Sequence, residues 1–295
     1  MAYARHQSFY LRDKWLSKGL RAVKHNKRFF YIEDSFEKIG LGKNMVEALK
    51  YWLVAFKVIE EILQDGQKCH KLTELGEVIF NHDRVLQYNS TISILHYNLV
   101  TNSDDQSTVF DWFFNVYKET SFKKDDLLNS FKVWVSQRET KEISDKSLKR
   151  DIDCLIQFYS KKANEDDPED VTFCPFYRLK LLNIEPSASE REKINKTSPA
   201  INDISVEALY YTLLDYCNKE DIRLLSIDEI INKKNMWGKT YNLSRNKIIE
   251  ALNRLTNHEI YPITYVRTNN LDYINVPSIS AIQFLQEEHG MEVRV

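Results

Sequence analysis

The residues whose types and spacing most clearly suggest a chemistry lie between Leu41 and Phe56. Lys43, Asn44, Glu47 and Lys50 follow one another at helical spacing, so a helix would carry them on one face. Lysine binds phosphate or guanine, asparagine pairs with adenine, and glutamate accepts a hydrogen bond from cytosine. The pattern predicts a face that reads DNA, and the glutamate leaves open that this face contacts protein instead.

The opposite face of the same segment is apolar, which predicts a helix that packs on a core. Its apolar residues recur at the helical period, namely Met45, Leu49, Trp52, Leu53 and Phe56. A short helix pattern precedes this helix, and two alternating segments joined by Asp65-Gly66 follow it as a predicted hairpin. This order predicts a winged helix-turn-helix, a module that usually binds DNA. Lys68 and Lys71 would lie on its wing.

Basic residues are concentrated at the N-terminus, although the whole chain has a formal net charge of −2. Ahead of Phe30 the single acidic residue is Asp13, and a basic amphipathic helix is predicted over 8–23. Such segregation suits a nucleic-acid surface, and it equally suits an ordinary solvated helix face. The candidate contacts from this region are Arg5, His6, Arg12 and Lys18. For Arg5-His6 we expect a phosphate contact or a pocket edge, the alternative being a solvated terminus.

The length of 295 residues suits about two domains, and the patterns predict a mainly α fold with small β wings. We predict an N-terminal basic helix plus winged helix over 1–83, a helical middle packed on it over 84–184, a linker over 185–203 and a C-terminal winged-helix-like domain over 204–295. Ile194 and Ile201 are the only large apolar residues in the linker, which is otherwise rich in Pro, Ser and charge.

The C-terminal part repeats the order of elements seen at the N-terminus. A third helix, capped by Ser244, would turn Arg245, Asn246 and Arg254 outward. Alternating residues from Ile260 to Val276 predict two strands after it. Arg245, Asn246 and Arg254 are therefore the candidate DNA contacts of a second winged module.

Enzymatic motifs are absent from the sequence. It contains no GxSxG and no glycine-rich phosphate loop ending in Lys and Ser or Thr. His82-Asp83 resembles one metal-binding pair of phosphodiesterases, but a loop after a helix is the better interpretation, and Cys69-His70 is too closely spaced for one metal ion. We expect His96 to be a core histidine. We therefore predict a protein with no catalytic residue, no metal site and no cofactor.

The four cysteines are Cys69, Cys154, Cys174 and Cys217. They are far apart in apolar contexts, which predicts buried thiols in a reducing cytoplasm. No apolar run reaches the length of a membrane helix, so we expect a cytoplasmic protein. The acidic run from Glu165 to Asp170 is predicted to be a loop. The sequence leaves the oligomeric state open.

Several strings in this order resemble the bacterial family of domain of unknown function 4007. They are RHQSFYLRDKWLSKGLRAV (5–23), LGKNMVEALKYWL (41–53), LTELGEVIFNHD (72–83), ILHYNLV (94–100), LKRDIDCLIQFY (148–159) and CPFYRLKLL (174–182). The family is similar to helix-turn-helix proteins encoded near genes for DNA phosphorothioation and phage defence, including sulfurtransferases. The family has no established catalytic residues to carry over to this sequence.

Two hypotheses follow. In the first, the protein binds duplex DNA as an accessory or regulatory factor of a bacterial sulfur-modification or defence system. In the second, it is a scaffold that docks a modification or restriction enzyme without touching DNA. A sulfurtransferase or a restriction enzyme encoded nearby is the expected protein partner in either case. A hydrolase or nuclease is a third alternative, which rests only on His82-Asp83.

Overall fold

A computed structural model describes residues 2–101, 107–162, 173–185, 192–268 and 271–292. The chain is mainly helical with small antiparallel sheets, as the sequence predicts. The first elements in chain order are α1 (Trp15–His25), α2 (Ser35–Ile39), α3 (Lys43–Ala55), β1 (Ile59–Gln64), β2 (Gln67–Leu72), α4 (Glu74–His82), α5 (Asn89–Val100), α6 (Thr108–Asp111), β3 (Ser121–Phe122), α7 (Lys124–Ser136) and α8 (Asp145–Ser160).

The remaining elements are β4 (Leu182–Glu185), β5 (Lys193–Lys196), α9 (Ile201–Ile204), α10 (Val206–Glu220), β6 (Leu224–Ser226), α11 (Ile227–Asn232), α12 (Trp237–Thr240), α13 (Arg245–Leu255), β7 (Thr264–Thr268), β8 (Leu271–Asn275) and α14 (Ala281–Glu292). A π-helical turn (Trp112–Val116) extends α6, and 3₁₀ turns lie at Phe29–Tyr31 and Pro175–Leu179. The hairpins β1–β2 and β7–β8 are the two that the sequence predicts. The tip of the second, Asn269-Asn270, lies outside the described residues.

Helix α3 forms where the sequence predicts it. Local interactions determine the turn that precedes it, at the end of α2, and the hairpin turn that follows it. Gly40 ends α2 with a left-handed φ of 65°, and the N–H of Leu41 donates to the carbonyl of Phe36 at 3.0 Å, which is the Schellman arrangement. After α3, Asp65 and Gly66 have φ values of 51° and 74°. Two consecutive positive φ values are those of the tight turn that matches strand twist.

The first helix begins later than the sequence predicts. Helix α1 starts at Trp15, and its N-cap residue Lys14 has a φ of 64°. The preceding residues form a loop in which the indole N–H of Trp52 donates to the carbonyl of Phe9 at 2.9 Å. This long-range contact holds residues 8–14 outside the helix, so the prediction of a helix from Ser8 was wrong.

The predicted linker over 185–203 contains regular structure, which corrects that prediction in part. Strand β5 pairs with β3 and β4 in an antiparallel sheet of order β3-β5-β4, and α9 follows. Ile194 on β5 and Ile201 on α9 are buried, so the two apolar residues that stood out in the segment attach it to the core. The four predicted segments stay predictions, although one hydrophobic core extends from Tyr10 to Leu285.

His96 joins the middle of the chain to its C-terminal part. It is fully buried on α5, where its Nε2 lies 2.7 Å from the carbonyl oxygen of Thr240. That oxygen can only accept, so Nε2 carries the proton and Nδ1 accepts from the Tyr159 hydroxyl at 2.8 Å. Desolvation lowers the pKa of His96 to about 4. The prediction of a satisfied core histidine is confirmed.

The four cysteines are free and buried, as predicted for apolar contexts. The acidic run from Glu165 to Asp170 lies outside the described residues. No helix in the described ranges has the length and apolar character that crossing a membrane requires.

Candidate nucleic-acid interface

The outward face of α3 carries the four residues that the sequence singles out. Lys43 and Asn44 are exposed at its N-terminal end. One turn further on, Lys50 and Glu47 form an ion pair of 2.8 Å. Among the described residues, Lys43 and Asn44 have no carboxylate partner, so this face offers one cation and one amide. That is a small surface for holding DNA.

The β1–β2 hairpin is less basic than the sequence suggests. Lys68 pairs with Glu61 at 2.7 Å, and Lys71 pairs with Glu60 at 3.0 Å. The hydrogen bond from Lys68 lowers the pKa of Glu61, so this carboxylate stays ionised. Each lysine predicted to contact DNA from the hairpin is thus paired with a glutamate of the other strand, although exposed ion pairs of this kind are weak.

His6 is buried, which corrects the expectation that it contacts phosphate. Its ring stacks on Trp52 with centroids 6.0 Å apart, and its Nε2 lies 2.9 Å from Oδ1 of Asp151. The backbone N–H of Ser8 donates to Nδ1 at 3.1 Å, so Nε2 is the protonated nitrogen. His6 therefore fastens the N-terminal loop to α8, and its neighbour Arg5 is exposed.

Arg12 and Lys18 are only partly free to contact a ligand. The Arg12 guanidinium packs over the rings of Phe9 and Trp15, with its central carbon 5.4 and 5.6 Å from their centroids. The Lys18 ammonium donates to the carbonyl of Ile39 at 3.2 Å. This bond joins α1 to the end of α2 and brings the cationic faces of the two helices together.

The two helices enclose a basic groove of about 840 Å³. Its charged and titratable residues are Lys18, Arg21, Lys24, His25 and Lys38. Phe29, Ile39 and Phe80 of α4 are apolar residues of its lining. Among the described residues, no carboxylate lines the groove, although Lys24 pairs with Glu77 and Lys38 with Asp34 at its rim. The groove concentrates positive charge on one concave surface, which attracts a polyanion.

The sequence points to one residue of this groove as a contact, Lys18. The other four, Arg21, Lys24, His25 and Lys38, belong to no predicted site. Arg21, Lys24 and His25 recur at spacings of three and four with Lys18, which places them along one side of α1. The approach of Lys38 and Phe80 to that side depends on tertiary packing and has no local signal.

The C-terminal candidate residues are also largely paired. Arg245 lies 2.9 Å from Asp228. Arg254 contacts Glu250 at 2.6 Å and the amide oxygen of Asn202 at 3.0 Å. Asn246 is exposed between them. This module presents fewer uncompensated cations than the groove on α1 and α2.

The residues weighed as a hydrolase or metal site have structural roles. Asp83 is buried, and its carboxylate accepts from the backbone N–H groups of Gln87 and Tyr88 at 2.7 and 3.1 Å. His82 stacks on His289 with centroids 4.6 Å apart. In the part of the chain that the structure describes, no group of three or more His, Cys, Asp or Glu residues is arranged to hold a metal ion.

Comparison with known proteins gives a family and a fold. No curated protein matches the sequence. Two solved structures, described as "SspB crystal structure" and "Magnesium ion-bound SspB crystal structure", each superpose with a TM-score of 0.85 at 22% identity. Each covers 98% of this chain and 88% of the other, which shows a shared fold. Residues 3–289 match the family described as "Protein of unknown function (DUF4007)". The chain therefore belongs to the DUF4007 family.

Proposed function

We propose that this protein binds duplex DNA as an accessory or regulatory factor of a bacterial DNA sulfur-modification or phage-defence system. The basic groove between α1 and α2 carries the proposal. DNA binding by surface cations releases condensed counterions, and this supplies most of the sequence-independent affinity. A concave surface with four cationic side chains, His25 and no lining carboxylate among the described residues suits that mode of binding, and two of the cations, Lys24 and Lys38, also pair with Glu77 and Asp34.

The element order around the groove supports the same proposal. Helices α1, α2 and α3, followed by the β1–β2 hairpin, have the order of a winged helix-turn-helix. In such modules the helix before the hairpin enters the major groove. Here that helix is α3, whose Lys43 and Asn44 are exposed. We assign the phosphate contacts to the α1–α2 groove and the base contacts to this short face of α3.

The paired lysines of the hairpin favour the second function, a scaffold that docks a modification or restriction enzyme. Lys68 and Lys71 are each neutralised by a glutamate, and mixed charges of this kind suit a protein partner. Co-purification with an enzyme encoded nearby, together with no DNA binding by the isolated protein, would select the scaffold.

Fluorescence anisotropy with a labelled duplex at low salt tests DNA binding directly. Replacing Lys18, Arg21 and Lys24 by Gln should lower the affinity on the order of 10²-fold, because three phosphate contacts are lost. The matched control replaces three exposed lysines outside the groove, Lys141, Lys146 and Lys149. Equal losses in the two triple variants, or no binding by the wild-type protein, would contradict the proposal.

A further inference from the structure

A second cavity, of about 460 Å³, lies between the N-terminal loop, α3 and the β1–β2 hairpin. Arg5 and Gln7 line it from the loop, Glu47 and Lys50 from α3, and His70 from β2. Its volume is within the range of ligand pockets, about 300 to 1,000 Å³. Because Glu47 and Lys50 also belong to the outward face of α3, the cavity opens beside the surface to which we assign base contacts.

The N-terminal loop is held in a strained conformation at the edge of this cavity. Ala4, Gln7 and Ser8 have φ values of 52°, 51° and 67°, and each costs energy for a residue with a side chain. The carboxylate of Asp151 offsets this cost, since it accepts from the N–H of Ala4 at 2.9 Å and contacts His6 at 2.9 Å. The loop thereby presents two polar side chains on a rigid support.

Polar groups in the cavity remain available for a ligand. Within the described chain, the side chains of Arg5 and Gln7 have no hydrogen-bond or ion-pair partner. His70 is 2% exposed, and its Nδ1 is a buried atom without a hydrogen-bond partner. The His70 ring stacks on Tyr31 with centroids 5.2 Å apart. This nitrogen is shielded from solvent, so a ligand contacts His70 through the part of its ring that lines the cavity.

The chemistry of the lining selects the class of ligand. Glu47 and Glu61 line the cavity together with Arg5 and Lys50, so a bare anion such as phosphate meets two carboxylates. A ligand with hydrogen-bond donors as well as an anionic group fits both signs of charge. A nucleotide has this composition, because the amino and ring nitrogens of its base can pair with Gln7 and His70 while its phosphate contacts Arg5.

We propose that this cavity binds one nucleotide, extruded from the DNA that the groove holds. The inference rests on the proposed function, since the strand must first lie against α1 and α3. Extrusion costs unstacking and unpairing, and the cost is lowest for a base that is already unpaired. A duplex with a single unpaired adenosine should therefore bind more tightly than the fully paired duplex of the same sequence.

Anisotropy titrations of the full chain with these two duplexes test the inference. We expect the bulged duplex to bind at least about tenfold more tightly. Two variants should bring the ratio of the two affinities close to one while binding to the paired duplex persists. Gln7→Gly removes the amide and tolerates the positive φ, and His70→Phe keeps the ring stack. Gln67→Ala removes an exposed amide that does not line the cavity, so it should keep the wild-type ratio.

Three outcomes separate the ways in which this inference fails. A wild-type ratio of one, or a tenfold ratio that survives in both Gln7→Gly and His70→Phe, overturns the nucleotide site and leaves DNA binding intact. Absence of binding to either duplex overturns the proposed function and the site with it. The third outcome is that free dAMP binds saturably to the wild-type protein but not to His70→Phe, while the bulged and the paired duplex bind with equal affinity. This result assigns the cavity to a free nucleotide and overturns extrusion.

Discussion

His96 should make the stability of the fold depend on pH between about 7 and 5. Its pKa in the folded protein is about 4, whereas an unfolded histidine titrates near 6.5. The unfolded chain therefore binds the additional proton over this range, and the free energy of unfolding falls as the pH falls. The contribution of His96 is present above pH 6.5 and is lost progressively as the pH drops towards 4.

The size of the effect follows from the same two pKa values. The full loss is about 3 kcal/mol, of which about 2 kcal/mol falls between pH 7 and pH 5. Urea unfolding of wild type and His96→Gln at these two pH values isolates the contribution of His96 to the free energy of unfolding, because the other groups titrate alike in both proteins. His25→Gln is the control, since His25 is exposed on α1. Identical pH dependence in wild type and His96→Gln would refute the reasoning.

Two further predictions concern packing and the N-terminal loop. Gly76→Ala should lower the free energy of unfolding by at least about 2 kcal/mol, because the added Cβ would lie 2.0 Å from the carbonyl oxygen of Val58. The measurement is a urea titration, and the control is Gly290→Ala, because nothing lies within 4 Å of the carbon that this change adds. An equal loss of unfolding free energy in both variants would contradict the packing argument. Asp151→Ala should destabilise the protein by about 3 kcal/mol, because two hydrogen bonds to a buried carboxylate are lost. It should also release the loop that Asp151 anchors, seen as faster hydrogen exchange of the Ala4 amide. Unchanged exchange would show that Asp151 does not hold the loop.

The elements with strong local signals were predictable from the sequence. The two faces of α3 follow from helical periodicity, and the Asp65-Gly66 turn follows from the φ values that a two-residue hairpin requires. Ser226 likewise caps α11 in a capping box with Glu229, which is a local pattern. In each case the deciding interactions lie within a few residues of one another.

The parts that the sequence did not predict depend on distant partners. The N-terminal loop is held by distant residues, Asp151 at Ala4 and His6 and Trp52 at Phe9, so its helix-like pattern before Trp15 is overridden. The sheet β3-β5-β4 is built from short strands, and each has too few residues for a clear alternation. The basic groove needs α2 and α4 beside α1, so Lys38 became a candidate only in the folded structure.

The salt dependence of duplex binding tests the central claim most directly. For B-DNA the slope of log K against log salt is about −0.9 per phosphate contact. Replacing Lys18, Arg21 and Lys24 by Gln should therefore make the slope shallower by about 2 to 3, while the control triple at Lys141, Lys146 and Lys149 should keep the wild-type slope. An unchanged slope in the groove variant would contradict the assignment of phosphate contacts to the groove between α1 and α2.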